Sequence, residues 1–211
     1  MDGSSDFNQR SQRKPKGEGH LRRDEILRAA EAIFVRDGYE GATIRKIAEM
    51  VGVSTTTLYM HFRDKDAIVL EISKDGLKDL ETIHVKASVD IKDPVERLRF
   101  MAHAYVEFGL QNPNLYELIF CLSDRALAPE TQSALSELGV VCFQTFASTC
   151  EEIETLGRLR SGGAMANLQV VWTGCHGLTH MLISNTSFPW APVDQLSNLL
   201  INSLINGLTK D

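Results

Sequence analysis

The stretch from Thr43 to Lys65, T-I-R-K-I-A-E-M-V-G-V-S-T-T-T-L-Y-M-H-F-R-D-K, constrains this chain more than any other. Ile44, Ile47 and Ala48 recur at helical spacing, so they share one face. Thr43 can cap that helix, because its hydroxyl accepts an orphan backbone N–H. Gly52 sits where a helix end needs a left-handed residue, which only glycine adopts cheaply. Val51 and Val53 flank that turn, and Ser54 is a second N-cap. The pattern predicts two short helices around a tight turn, with a further helix starting at Asp64.

The second of these helices is built to be read from outside. Thr55, Thr56 and Thr57 are poor helix formers, and only Leu58 and Phe62 point inward. Thr55, Thr56, Tyr59, Met60 and His61 are left to face out. Such a helix can enter a major groove, where hydroxyls reach bases or phosphates and methyl groups meet thymine. Its N-terminus also favours phosphate. The competing reading is an ordinary hairpin inside an all-α domain. The candidate DNA contacts are Thr43, Arg45, Ser54, Thr55, Thr56, Thr57, Tyr59, Met60, His61 and Lys65.

Three segments also carry a resemblance: Gly38-Tyr39-x-x-Ala42-Thr43, Ile47-Ala48-x-x-Val51-Gly52-Val53-Ser54 and Leu58-Tyr59-x-His61-Phe62-x-x-Lys65. Together they resemble the N-terminal domain of the tetracycline-repressor (TetR) family over residues 21–68. Val51 departs conservatively from the alanine more usual there. The resemblance implies an all-helical, dimeric, ligand-responsive transcription factor, in which the helix starting near Lys65 is the moving part.

The charge distribution fits a protein with one end on DNA. The net charge is −6, with residues 1–66 at about +1 and the remainder at about −7. Residues 1–20 are polar and contain Arg10, Arg13, Lys14 and Lys16. They read either as a disordered basic arm beside the reading helix or as a solvated tail. Four cysteines without a C-x-x-C pair read as reduced core residues of a cytoplasmic protein. No apolar run is long enough to span a membrane.

The remaining helices follow from punctuation and stripes. Leu21 to Asp37 carries Ile26, Leu27, Ala30, Ile33 and Phe34, and Gly38 closes it. A connector from Asp64 to Val85 is lined by Ile68, Leu70, Ile72, Leu77, Leu80 and Ile83. Asp93-Pro94 opens the next helix, and Asn112-Pro113 ends it. A short apolar helix, Leu115 to Leu122, precedes a long one from Pro129 to near Gly157. Ala164 to Ser184 and Val193 to Leu208 are the last two. The expected fold is therefore all-α, with about nine helices. It divides into an arm (1–20), a three-helix helix-turn-helix domain (21–66) and an effector-binding and dimerisation domain (67–211).

The last two helices carry enough leucine, valine and tryptophan to pair with a second copy as a four-helix bundle. A symmetric dimer would then present two reading helices about 34–36 Å apart, one turn of B-DNA. Trp172-x-x-x-His176-Gly177 resembles the signature of the family's Trp-His-Gly (WHG) class of C-terminal domain, as does Asn112-Pro113-x-x-Tyr116-x-x-Ile119-Phe120. An effector cavity between the middle helices has candidate walls in Met101, Tyr105, Phe108, Tyr116, Phe120, Phe143, Phe146, Trp172 and His176. Ordinary aromatic core packing is the alternative for each. His176 and His180 lie four apart, a metal-capable spacing, but no carboxylate lies close in sequence. We assign no metal, no cofactor and no catalytic residue. No phosphate loop, nucleophile elbow or H-E-x-x-H motif occurs. The expected function is a homodimeric repressor that a small apolar or aromatic molecule releases from a palindromic operator on double-stranded DNA. A DNA-binding architectural protein without an effector is the competitor, and the large C-terminal half argues against it.

Overall fold

The computed structural model describes residues 19–121 and 127–210. Nine α-helices and one π-helical turn account for the regular structure among them. The expected basic arm, apart from the first residues of the first helix, lies outside the described residues.

Helix α1 (Gly19–Gly41) bends at Gly38, whose φ of 70° is glycine territory, so one further turn follows where the sequence suggested an end. Helix α2 (Ile44–Val51) starts on Thr43, whose side chain accepts from Lys46 N. It ends at Gly52 with φ 73° and ψ 35°, and the Val53 N–H closes on the Ala48 carbonyl at 2.9 Å. Helix α3 (Thr55–Tyr59) starts on Ser54, whose oxygen accepts from Thr57 N at 3.0 Å. Ile26, Ala30, Ile33, Ile47, Ala48, Leu58 and Phe62 meet in one small core. Each large apolar side chain there stabilises the head by about 1.5–3 kcal/mol.

Helix α4 (Lys65–Asp90) is capped by Asp64, which accepts from Ala67 N at 2.8 Å. It runs five residues past the expected end at Val85. Its inward face there is His84 and Ala87, while Ile83 and Val85 are exposed. The stripe Leu77, Leu80, His84, Ala87 keeps the spacing of three and four, and Ile83 lies off it. Helix α5 (Pro94–Gln111) begins on Asp93, which caps Val95 and Glu96. Arg97, nearly buried, donates to the Ile91 and Lys92 carbonyls and to Glu152, so it fastens the α4–α5 turn to the long helix that carries Glu152.

The expected helix from Leu115 to Leu122 is instead a single turn, α6 (Pro113–Tyr116), continued by the π-helical turn Glu117–Cys121. The wider turn leaves Cys121 exposed, so the reading of all four cysteines as core fails there. Cys142, Cys150 and Cys175 are buried, and burial pushes their thiols up to about 11, 12 and 12. They are neutral packing groups. Helices α7 (Pro129–Thr155), α8 (Ala164–Ser184) and α9 (Val193–Leu208) complete the C-terminal body. No described helix is long and apolar enough to cross a membrane.

Candidate nucleic-acid interface and ligand cavity

The head presents one face made of α3 and its flanks. Tyr59 is 56% exposed and Met60 81%, so two adjacent large side chains stand on the outer surface of this face. Thr55 and Thr56 are exposed beside them, while His61 is half-buried. Ser54 and Thr57 are turned on each other, with hydroxyls 2.9 Å apart, and serve the cap. Arg45 stands out from α2 and holds Glu49 at 2.9 Å. An exposed pair of this kind is worth at most about 1 kcal/mol, so the guanidinium can exchange Glu49 for a phosphate. Thr43 caps α2 at the edge of the same face.

Lys65 is held differently from a free phosphate ligand. Its ammonium donates to the Tyr39 carbonyl at 2.7 Å and lies 3.7 Å from the centre of the Tyr39 ring. The next residue, Asp66, receives the Tyr39 hydroxyl on one oxygen. Its other oxygen accepts the Ala128 N–H at 2.8 Å. The first turn of α4 therefore joins the end of α1 to the segment that leads into α7. That segment belongs to a cavity wall: Leu127 and Gln132 both line it, and Gln132 donates to the Leu127 carbonyl at 2.8 Å.

The cavity has two chambers. The outer one, about 590 Å³, lies between α4, the π-helical turn, α7 and α8. It is of ordinary size for a small-molecule site. The inner one, about 40 Å³, lies behind it. Leu77, Phe120, Gly139, Phe143 and Trp172 border both. Among the described residues, no Asp, Glu, Lys or Arg lines either chamber. Polar groups of the outer wall are the uncharged Gln132, Ser136, Gln144 and Gln169.

Five of the nine expected wall residues border this space: Phe120, Phe143 and Trp172 in both chambers, Tyr105 and Phe146 in the inner one. Met101, Phe108 and Tyr116 are packed in the core instead, and His176 stands behind the wall. The Tyr116 hydroxyl lies 2.6 Å from His176 Nδ1 and the Tyr105 hydroxyl 3.1 Å from it. Burial and the nearby His180 lower the His176 pKa, which suits a neutral ring accepting at Nδ1. The rings of His176 and His180 stack 6.3 Å apart, and no group of three metal-capable side chains exists among the described residues.

Sequence reasoning missed His84. Its ring borders the inner chamber and is 1% exposed, and neither nitrogen has a hydrogen-bond partner. The Met101 backbone favours the protonated ring slightly, but without hydrogen-bond geometry. Burial dominates and pushes the pKa down to about 4. The unfolded chain takes this proton near pH 6.5, and the folded chain resists until about pH 4. More protons bind the unfolded state in that window, so stability falls as pH falls. We predict that His84→Phe gains on the native chain by about 2–3 kcal/mol between pH 7.5 and 4.5. Urea midpoints at the two pH values measure this; equal slopes for both proteins would refute it.

Comparison with known proteins accords with this geometry. The model of "Bacterial regulatory proteins, tetR family" matches residues 26–72. That of a "Tetracyclin repressor-like, C-terminal domain" matches residues 98–204, half of the chain. The transcriptional activator FasR of Mycolicibacterium smegmatis is 34% identical over 113 residues, 54% of this chain and 50% of FasR. The chain thus spans about half the length of that relative. The nucleoid occlusion factor SlmA of Vibrio campbellii is 30% identical over 142 residues, 67% of this chain and 70% of SlmA. Among solved structures, Bacillus subtilis FadR in complex with stearoyl-CoA superposes with a TM-score of 0.75. It is 18% identical and covers 87% of this chain and 98% of that one, a likeness of fold.

Proposed function

Because the chain belongs to the tetR family of bacterial regulatory proteins, we propose that it acts as a homodimeric repressor, released from a palindromic operator by a small apolar effector. It is a DNA-binding transcriptional regulator and not an enzyme; the repressing sign, the dimer and the effector are the proposal. One observation carries it: the first turn of α4 holds the head through Tyr39 and a wall of the cavity through Ala128. Ligand in the cavity can then change the stance of α3. A coupling of about 1–3 kcal/mol would weaken operator binding roughly 5- to 150-fold. The uncharged wall supports an apolar effector.

The head of residues 21–66 reads DNA in this proposal, through Tyr59, Met60, Thr55 and Thr56, with Arg45, Thr43 and Lys65 at the backbone. Residues 67–211 bind effector and partner in this proposal. The WHG class suits the C-terminal body, because Trp172 borders the cavity and Gly177 is exposed on the same helix. For the dimer, α8 and α9 supply the support. Leu168, Val171, Cys175, Leu182, Ile201 and Ile205 are used up in the chain's own core. Val170, Thr173, Gly177 and Met181 of α8 and Leu199, Ser203 and Gly207 of α9 remain outside. A cytoplasmic location follows from the proposed role.

Selection of bound sequences from random DNA should return one palindrome, bound with a steep salt dependence. Tyr59→Ala should weaken that binding by 10- to 100-fold, the effect of about 1–3 kcal/mol lost at the base edges, and leave the dimer intact. Normal binding by this variant would remove α3 from the role given to it.

A further inference from the structure

We propose that the cavity admits an uncharged, elongated apolar molecule whose leading end carries one hydroxyl or carbonyl oxygen, and that this oxygen bonds to the His84 ring in the inner chamber. This deepens the effector reading above and rests on it. Two independent observations lead there.

The first is His84 itself. A buried polar group without a partner is rare, since leaving it unsatisfied destabilises the fold. Both ring nitrogens of His84 are in this condition, and His84 borders a chamber whose other walls are leucines, phenylalanines, Tyr105, Trp172, Gly139 and Cys142. Imidazole can donate at one nitrogen and accept at the other, so either a hydroxyl or a carbonyl satisfies it. A carboxylate entering either chamber would meet no positively charged side chain among the described wall residues.

The second is Gly139, within α7 where the two chambers meet. Glycine inside a helix is less favourable than alanine. At Gly76, Gly109 and Gly174 the close approach of Leu115, Tyr116 with Thr179, and Leu204 gives a reason for it. A Cβ at Gly139 would meet nothing within 4 Å. No described neighbour fills that space. The space beside Gly139 adjoins both chambers.

The test uses the full chain without DNA and follows Trp172 fluorescence and calorimetry with 1-decanol, n-decane and decanoate. Decanol should bind at least ten times more tightly than decane or decanoate. His84→Phe should bring decanol down to the level of decane measured in the same variant, and His84→Gln should keep the preference. Gly139→Leu should block both, and Gly139→Ala, which restores helix propensity, should fold with an unchanged or higher Tm. Decanol binding no better than decane would overturn the proposal, a trapped water then being the partner of His84. Equal decanol affinity in His84→Phe would overturn it too. These readouts need no operator. If decanol binds through His84 but leaves the selected palindrome bound, the ligand site stands and the effector role falls.

Discussion

Gly177→Arg should give a folded chain that no longer pairs and has lost its operator. A Cβ at Gly177 meets nothing within 4 Å among the described residues, so the new side chain starts out into open space. Replacing a helix-interior glycine also favours α8 by up to about 1 kcal/mol. The loss expected here comes from outside the chain. In a four-helix bundle made of α8 and α9 from two copies, the Thr173–Gly177 surface is where backbones come close. Arginine there would bury a charge without a partner, a cost of several kcal/mol. Separated chains would each hold one half-site. Specific binding typically exceeds nonspecific binding by 10³ or more, and most of that margin should disappear. Light scattering should report half the native mass, and band shifts should show no complex at native concentrations. A variant that stays dimeric would place the pairing surface elsewhere.

This surface illustrates what the sequence could and could not convey. The caps at Thr43, Ser54, Asp64 and Asp93 are local chemistry, and all four helices start where those residues predict. The starts of α8 and α9 follow equally from Gly163 and Pro192. Hydropathy pointed to α8 and α9 as a pairing surface, yet Leu168, Val171, Cys175 and Leu182 face their own core. What is left outside is mixed: Thr173 and Gly177, with Val170, Met181 and Leu199. Apolarity alone cannot say which partner a face meets.

The cavity was half legible for a related reason. Its aromatic walls recur at helical spacing, but so do Met101, Phe108 and Tyr116, which are packed. An empty volume has no residue pattern of its own. Its clues were the residues that break a rule. His84 is a polar residue on an apolar stripe, and Gly139 is a glycine inside a long helix. The π-helical turn that swings Leu118, Ile119 and Phe120 into the wall depends on tertiary packing, so periodicity read it as plain α-helix.

Asp66→Ala should leave both binding activities in place and cut the connection between them. Its two oxygens hold groups from opposite ends of the proposed signal, the Tyr39 hydroxyl and the Ala128 N–H. Without the carboxylate, pressure on the wall at Leu127 and Gln132 has no bonded route to the end of α1. The coupling factor, 5- to 150-fold in an intact regulator, should fall towards one. The reading face is untouched, so operator affinity without ligand should change little. The cavity keeps its walls, so decanol should bind as before. Loss of two hydrogen bonds from part-buried groups should lower stability by about 1–3 kcal/mol, which leaves a foldable protein. Tyr39→Phe removes one half of the bridge and keeps the ring beneath Lys65. Its effect on coupling should not add to that of Asp66→Ala, because both break one path. A second route exists through Leu118, which borders both the outer chamber and a cleft formed with Phe34, Val35 and Tyr39 of α1. The two routes differ in kind: a packed contact transmits push alone, whereas the carboxylate also transmits pull. Full release by decanol in Asp66→Ala would therefore assign the signal to Leu118, and loss of release with both affinities intact assigns it to Asp66.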